Sequence, residues 1–287
     1  MNESKLTRPE ALRPILVASH PRSGTHLVMD LLRRQFRSLD NWRIWGLPLD
    51  YLYLNLERLG AENRRFPAER ARRIVNRPRR ALMKTHFDAD FVTGWAEDES
   101  TPPSKAWLDF VGKANIFYVV RHPLDVMVSY HQFLSGIDKS LAGMDFMSFL
   151  RSPNWNECAS RLEWWGRHAV GWAARESVTV LRYEDVVGHT DETLALVSDC
   201  LREEPVGRDP MLPPKITSIR RSRLDRLLRL SPPCTAIVAD RNRFRAHDWR
   251  QSVRRSDIAW IEQQIGESLV RFGYSLDPDC PVNPLWH

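Results

Sequence analysis

The sequence predicts an α/β protein: a single domain with a central parallel sheet flanked by helices, P-loop-like in its plan. Three observations carry that expectation. Short apolar, β-branched runs alternate with longer amphipathic stretches along the chain. The first run, Ile15-Leu16-Val17-Ala18-Ser19, passes into the turn Ser23-Gly24-Thr25 and then a helical pattern. A later run, Ile116-Phe117-Tyr118-Val119-Val120, ends in Arg121, with Ser129 eight residues further on.

The elements follow in order. Residues 1–13 are polar, lack a signal-peptide core and are expected to be a flexible tail. Strand Ile15–Ser19 precedes a helix over Thr25–Arg37. Trp42–Leu54 is aromatic and apolar, and reads either as core or as the wall of a pocket. Arg64–Arg80 holds eight arginines and Arg220–Arg229 five; both read as solvated helix faces, and the second could also meet a nucleotide or an anionic substrate. A strand over Ala81–Thr85 runs into His86. Thr93–Lys105, polar and containing Pro102-Pro103, reads as a loop. Strand Ile116–Val120 leads into a helix over Pro123–Leu134, with Pro123 in the first turn, where no backbone donor is needed. Helices are expected over Asn156–Arg175, Thr190–Leu201 and Thr217–Leu230, and a strand over Val178–Leu181. In a last helix, Ser256–Phe272, Ile258, Ile261, Ile265 and Leu269 repeat at helical spacing. Ser256 is its expected N-cap and Gly273 its C-terminal stop. The domain is expected to span 14–276, with 277–287 as an extension.

Composition narrows the function. A chain of 287 residues, 43% apolar and 27% charged, is that of an ordinary soluble globular protein. Its net charge is +6, and 36 of its 42 basic residues are arginine, which suits planar recognition of phosphate or sulfate. Charge alone fits an anionic small molecule as well as nucleic acid. No aromatic-interleaved or zinc module accompanies it, so no nucleic-acid partner is expected. Cys158, Cys200, Cys234 and Cys280 are spaced 42, 34 and 46 residues apart without a CxxC pair. They are expected to be free thiols in a reducing compartment, the cytoplasm. No apolar run approaches ~18 residues, so no membrane span is expected.

The chemistry concentrates at three places. A strand, a Ser-Gly-Thr turn and a helix start gather backbone N–H groups around one point, where the helix dipole favours an anion. Gly24 allows close backbone approach; Arg22 adds a permanent charge, and Ser23, Thr25 and His26 add donors. Arg121 and Ser129 can both reach a second anion at the carboxyl edge of the sheet. Between them lies Lys84-Thr85-His86. The set suggests a nucleotide phosphorylated at two places, with a base beside it. Gly24 is followed by Thr25-His26 and Gly112-Lys113 by Ala114, so the ATP-binding pattern GxxxxGK[ST] is missing, which counts against a small-molecule kinase.

These residues make the chain resemble the sulfotransferases that use 3′-phosphoadenosine-5′-phosphosulfate (PAPS). It is closer to the soluble cytosolic and bacterial members than to the membrane-anchored Golgi ones. The family's YPKSGTTW loop is similar to His20-Pro21-Arg22-Ser23-Gly24-Thr25-His26-Leu27, and its RNPKDxxVSxY segment to Arg121-His122-Pro123-Leu124-Asp125-Val126-Met127-Val128-Ser129-Tyr130-His131. Its KTH is Lys84-Thr85-His86, its YED is Tyr183-Glu184-Asp185, and its TSF resembles Thr217-Ser218-Ile219. Trp165, His168 and Trp172 match a spacing on its central helix. The likeness runs from Pro14 to Tyr274. Departures are Leu27 for an adenine-stacking Trp, Arg22 for Lys, and a late RKGxxGDWK motif reduced to Asn242–Arg250 without its glycines. The dimer motif of the cytosolic members is absent, which leaves the oligomeric state open.

The resemblance implies a transfer of sulfuryl from PAPS to a hydroxyl or amine of a small acceptor, apolar or aromatic, without a metal and with the bisphosphate PAP as product. It implies His86 as general base, Lys84 on the sulfuryl or bridging oxygen, and Arg22 on the leaving 5′-phosphate. Ser23, Gly24, Thr25 and His26 would hold the 5′ end, and Arg121 and Ser129 the 3′-phosphate. Ser129 would also steer Lys84 or Arg22. Tyr183 and Thr217 would touch the nucleoside, and Arg243, Arg245 or Arg241 would assist at the 3′-phosphate. Glu184 and Asp185 read as structural. His26 and His131 rival His86 as base, and His168 reads as a satisfied helix histidine. The degraded late motif and Leu27 also fit a nucleotide-binding relative without turnover.

Overall fold

The computed structural model describes residues 12–40, 43–44, 47–48, 52–58, 74, 79–97, 105–153, 158–210, 212 and 248–278. Its centre is a five-stranded, all-parallel sheet built from β1 (Ile15–Ser19), β4 (Leu54–Asn55), β5 (Leu82–Thr85), β6 (Asn115–Val120) and β7 (Val178–Arg182). The strand order is β4–β5–β1–β6–β7. The short β2 (Arg43–Ile44) and β3 (Leu47–Pro48) pair antiparallel as a separate two-stranded sheet.

The strands are central because their side chains suit burial on both faces. All five residues of β1 are buried, as a parallel strand covered on both sides requires. Alternate residues serve opposite faces. Ile15, Val17, Leu82, Phe117 and Val119 join one core with Val28, Leu31 and Leu32 of α1 (Thr25–Gln35). Leu16, Ala18, Met83, Tyr118 and Val120 join the other. The second core is closed by α4 (Pro123–Ser135), α6 (Arg161–Ala173) and α9 (Arg255–Phe272). Helix α6 packs tightly on α9 because Gly166 has no side chain: a Cβ there would lie 3.2 Å from both Ile265 Cγ2 and Ser268 Oγ.

The remaining helices are α2 (Phe91–Glu97), α3 (Lys105–Gly112), α5 (Phe146–Arg151), α7 (Tyr183–Gly188) and α8 (Thr190–Leu201). Side-chain caps fix several starts. Asp145 accepts the Ser148 N–H at α5, and Ser160 accepts the Glu163 N–H at α6. The helix expected from Asn156 therefore begins at Arg161. Gly273, at φ 66°, ends α9, and Tyr274 N–H returns to Leu269 O at 2.9 Å.

Three expectations need correction. Ser256 is not the N-cap of the last helix. Arg254 is, because the Asp257 carboxylate takes the Arg254 N–H and starts the helix earlier. Thr93–Glu97 is helical rather than a loop: Phe91 and Trp95, one turn apart, meet edge to face at 5.1 Å, and Phe87 stacks on Phe91 and meets Trp95 edge-on. Arg80 is no solvated charge. It is 3% exposed and bonds the carbonyls of Arg13 and Leu201 and the Ser38 hydroxyl, with Glu203 at 3.8 Å. The rest of that arginine run, apart from Arg79, lies outside the described residues, as do Arg220–Arg229, the helix expected over Thr217–Leu230, and Thr217, Arg241, Arg243 and Arg245.

Cys158 and Cys200 are free thiols; Cys234 and Cys280 lie outside the described residues. Among the described residues no helix is long and apolar enough to cross a membrane.

Candidate functional site

Strand order places the site. The chain leaves β1 toward β5 on one side and continues through β6 and β7 on the other, so a crevice opens at the carboxyl end of β1. A cleft of about 1150 Å³ lies there. Arg22, Gly24, Thr25, His26, Lys84, His86, Arg121, Ser129 and Tyr183 all line it. Segments far apart in the sequence thus reach one place.

The loop after β1 is tightly wound. Arg22 takes φ 72° and Gly24 φ 100°, both left-handed. Gly24 stands at the N-terminus of α1 with the Tyr183 ring on it: a Cβ would meet Tyr183 Cδ2 at 2.5 Å. Ser23 is buried, and its hydroxyl has no hydrogen-bond partner among the described residues. Thr25 bonds its hydroxyl to that of Ser19. Arg22 Nε donates to Ser129 Oγ at 3.2 Å, and its guanidinium lies 5.0 Å from the Phe133 ring centre. Burial and the neighbouring Arg121 charge lower the Arg22 pKa. An anion between the two arginines would relieve both penalties.

Arg121 leaves the end of β6 and lies over the Tyr183 ring at 4.4 Å. Its Nε is buried without a hydrogen-bond partner among the described residues. A buried guanidinium N–H and a buried serine hydroxyl left unbonded are costly unless a ligand completes them. The donor set therefore fits an anionic group such as a phosphate. Glu184 holds this corner in place: Oε1 accepts the His122 N–H at 3.0 Å and Oε2 the Tyr274 hydroxyl at 2.8 Å.

Lys84 lies near the end of β5 and His86 is the first residue beyond it. The Lys84 ammonium pairs with Glu57 at 3.0 Å, and burial lowers its pKa while Glu57 opposes that. His86 Nδ1 is 2.6 Å from Ser19 O, so Nδ1 carries the proton and Nε2 is left to accept one. Burial, then the Lys84 charge, holds the His86 pKa well below its ordinary value. The imidazole is neutral near pH 7, the form a general base requires.

The other histidines differ in place. His131 stacks on Phe149 at 4.5 Å and bonds Leu141 O, away from the cleft lining. His168 is buried between the Tyr118 hydroxyl at 2.9 Å and His86 O at 3.2 Å. His26 does line the cleft, edge-on to Tyr53, and burial, Lys84 and Arg22 bring its pKa down to about 4. Its neutral ring can donate to an anion.

Beyond His86 the cleft is walled by Phe87, Phe91, Tyr130, Phe133, Leu134 and Trp164. These come from three helices, α2, α4 and α6, and the segment after β5. Of the aromatic stretch Trp42–Leu54, Tyr53 lines the cleft and Leu54 is core; the side chains of 42–51 lie outside the described residues. Sequence reasoning missed Glu57. It is a lone acid after an apolar run, and nothing local marks it; only the pairing of β4 with β5 brings it to Lys84.

A family model described as a sulfotransferase domain matches residues 12–202. No curated protein matches the chain. Among solved structures, mouse sulfotransferase SULT7A1 complexed with PAP is 17% identical, with TM-score 0.54, over 93% of this chain and 87% of that one. Retinol dehydratase in complex with androsterone and PAP is 16% identical, with TM-score 0.52, over 96% and 84%. At such identities the likeness is one of fold.

Proposed function

The chain belongs to the sulfotransferase family, and on that premise we propose that it transfers the sulfuryl group of PAPS to a hydroxyl or amine of a small acceptor, releasing PAP. One juxtaposition supports this reading above others. Three cations, Arg22, Lys84 and Arg121, line a single cleft with a histidine whose Nε2 is available for a proton.

In this reading the 5′ end of the nucleotide lies against the backbone of Ser23, Gly24 and Thr25, with His26 as a further donor. Arg22 offsets the charge growing on the leaving 5′-phosphate oxygen, and Lys84 that on the sulfuryl and bridging oxygens. Arg121 and Ser129 hold the 3′-phosphate, and Tyr183 meets the base. Thr217 and one of Arg241, Arg243 and Arg245 complete the nucleotide site. His86 takes the acceptor's proton at Nε2 as the new bond to sulfur forms and the bond from sulfur to the phosphate oxygen breaks. Fixed cations and in-line placement supply the catalysis, with no metal. The aromatic wall favours an apolar or aromatic acceptor. Cytoplasmic residence accords with a free-thiol chemistry at Cys158 and Cys200.

Thermal unfolding with PAP, AMP and ATP–magnesium tests the donor site. PAP at ~100 times its Kd should add ~2.7 kcal/mol, a shift of a few degrees, with much less from AMP. Sulfate transfer from labelled PAPS to a panel of phenols and alcohols then tests turnover. Stabilisation by ATP–magnesium alone would overturn the reading in favour of a kinase. PAP binding without transfer to any acceptor would make the chain a non-catalytic relative.

A further inference from the structure

One carboxylate touches two of the groups assigned above. β4 pairs in parallel with β5, setting Asn55 beside Lys84. The chain then turns through the single 3-10 turn Leu56–Arg58, which carries Glu57 over the end of β5. Glu57 Oε2 is 3.0 Å from Lys84 Nζ, and Oε1 accepts the backbone N–H of His86. The Lys84 side chain is 7% exposed and that of Glu57 26%.

We infer that Glu57 is a positioning residue for the transfer step, a single carboxylate that fixes the lysine ammonium and the backbone of the proposed base in one register. This rests on the sulfuryl-transfer reading. Stability gives little reason for such a pair, because a largely buried ion pair is often matched or bettered by apolar packing. Geometry gives a better one. Lys84, in β5, and His86, the first residue past its end, are separated by Thr85 alone, and both line the cleft. One carboxylate spanning both therefore fixes how far the ammonium stands from the base. The charged and titratable groups facing Lys84 are Glu57 and Arg58 from the turn, and the neutral imidazoles of His26 from α1 and His86 beyond the strand end. Glu57 is the one anion in that set, and its charge favours the ammonium form of Lys84 against burial and the Arg58 charge.

The test is Glu57→Gln, which retains an acceptor for the His86 N–H and removes the charge. The Lys84 amine is titrated by pH-dependent labelling, and turnover and PAP affinity are measured in parallel. Lys84 is expected to titrate at lower pH in the variant. Turnover should fall roughly 100-fold, the scale of a small misplacement of reacting groups, while PAP affinity stays within about twofold. In a Lys84→Met background, Glu57→Gln should cost little more, since the two act as a unit. An unshifted Lys84 titration in an active enzyme overturns the inference and leaves the transfer reading intact. So does a loss that multiplies fully with Lys84→Met. A wild-type protein that binds PAP but transfers nothing overturns the transfer reading, and the role with it.

Discussion

At the residue scale, Gly24, Tyr183 and Arg121 form a stack at the cleft floor. The ring lies on the glycine, and the guanidinium lies on the ring at 4.4 Å. Gly24→Ala sets a methyl 2.5 Å from Tyr183 Cδ2 at a backbone φ of 100°. A strained left-handed residue alone costs about 1–3 kcal/mol. The variant should melt lower and lose most PAP affinity, as calorimetry can check. Arg121→Ala should weaken PAP binding by roughly 10- to 100-fold, the worth of a charge-assisted hydrogen bond. AMP, which lacks a 3′-phosphate, should bind almost as before. Equal losses for both ligands would move Arg121 away from the 3′-phosphate. His86→Ala should spare PAP binding and cut turnover by at least about 100-fold. The wild-type rate should stay level as pH falls through 6.5, with its acid limb lower, because burial and Lys84 depress the His86 pKa.

At the element scale, the site depends on how strand ends are tied together. Glu184, one residue into α7, binds the backbone at the start of α4 and the Tyr274 hydroxyl beyond α9. Tyr274→Phe removes one of these partners and leaves a buried carboxylate oxygen short of a donor. It should cost about 1–3 kcal/mol in chemical denaturation without altering the cleft lining. Elements of this kind were readable where local chemistry decides them. The buried runs Ile15–Ser19 and Asn115–Val120, Pro123 at a helix start and Gly273 at a helix end follow from side-chain type and period. Elements fixed by distant partners were not readable. β4 has two residues and exists through its pairing with β5. Arg80 looks like a surface charge until three chain segments supply its acceptors. The start of α9 shifts because Asp257 competes for the cap. The phosphate loop and the Arg121–Ser129 spacing were legible, whereas Glu57 waited on the sheet order.

At the scale of the whole molecule, the sheet gathers imidazoles at and around the site. His20, His86 and His168 cluster at the carboxyl end of β1, with the His20 and His168 ring centres 5.8 Å apart and the Tyr118 hydroxyl on His168. Burial is the main cause that lowers the pKa of each, His168 to about 4. In the unfolded chain a histidine titrates near pH ~6.5. Below that pH the unfolded state takes up protons that the folded state refuses, so stability is full above ~6.5 and is lost as pH falls toward the folded-state values. Each fully buried histidine, His20 and His168 here, steepens the loss by up to about 1.4 kcal/mol per pH unit. Glu184 acts in the opposite sense: burial raises its pKa, so it takes up a proton more readily when folded and offsets part of the loss at the acid end. Urea unfolding from pH 7.5 down to about pH 5 should therefore show a falling midpoint. His168→Gln should flatten the slope by roughly one proton, even though the variant is less stable at neutral pH. A slope unchanged in that variant would mean that His168 takes up its proton at the same pH in the folded protein as in the unfolded chain, its two ring nitrogens then donating to the Tyr118 oxygen and to His86 O.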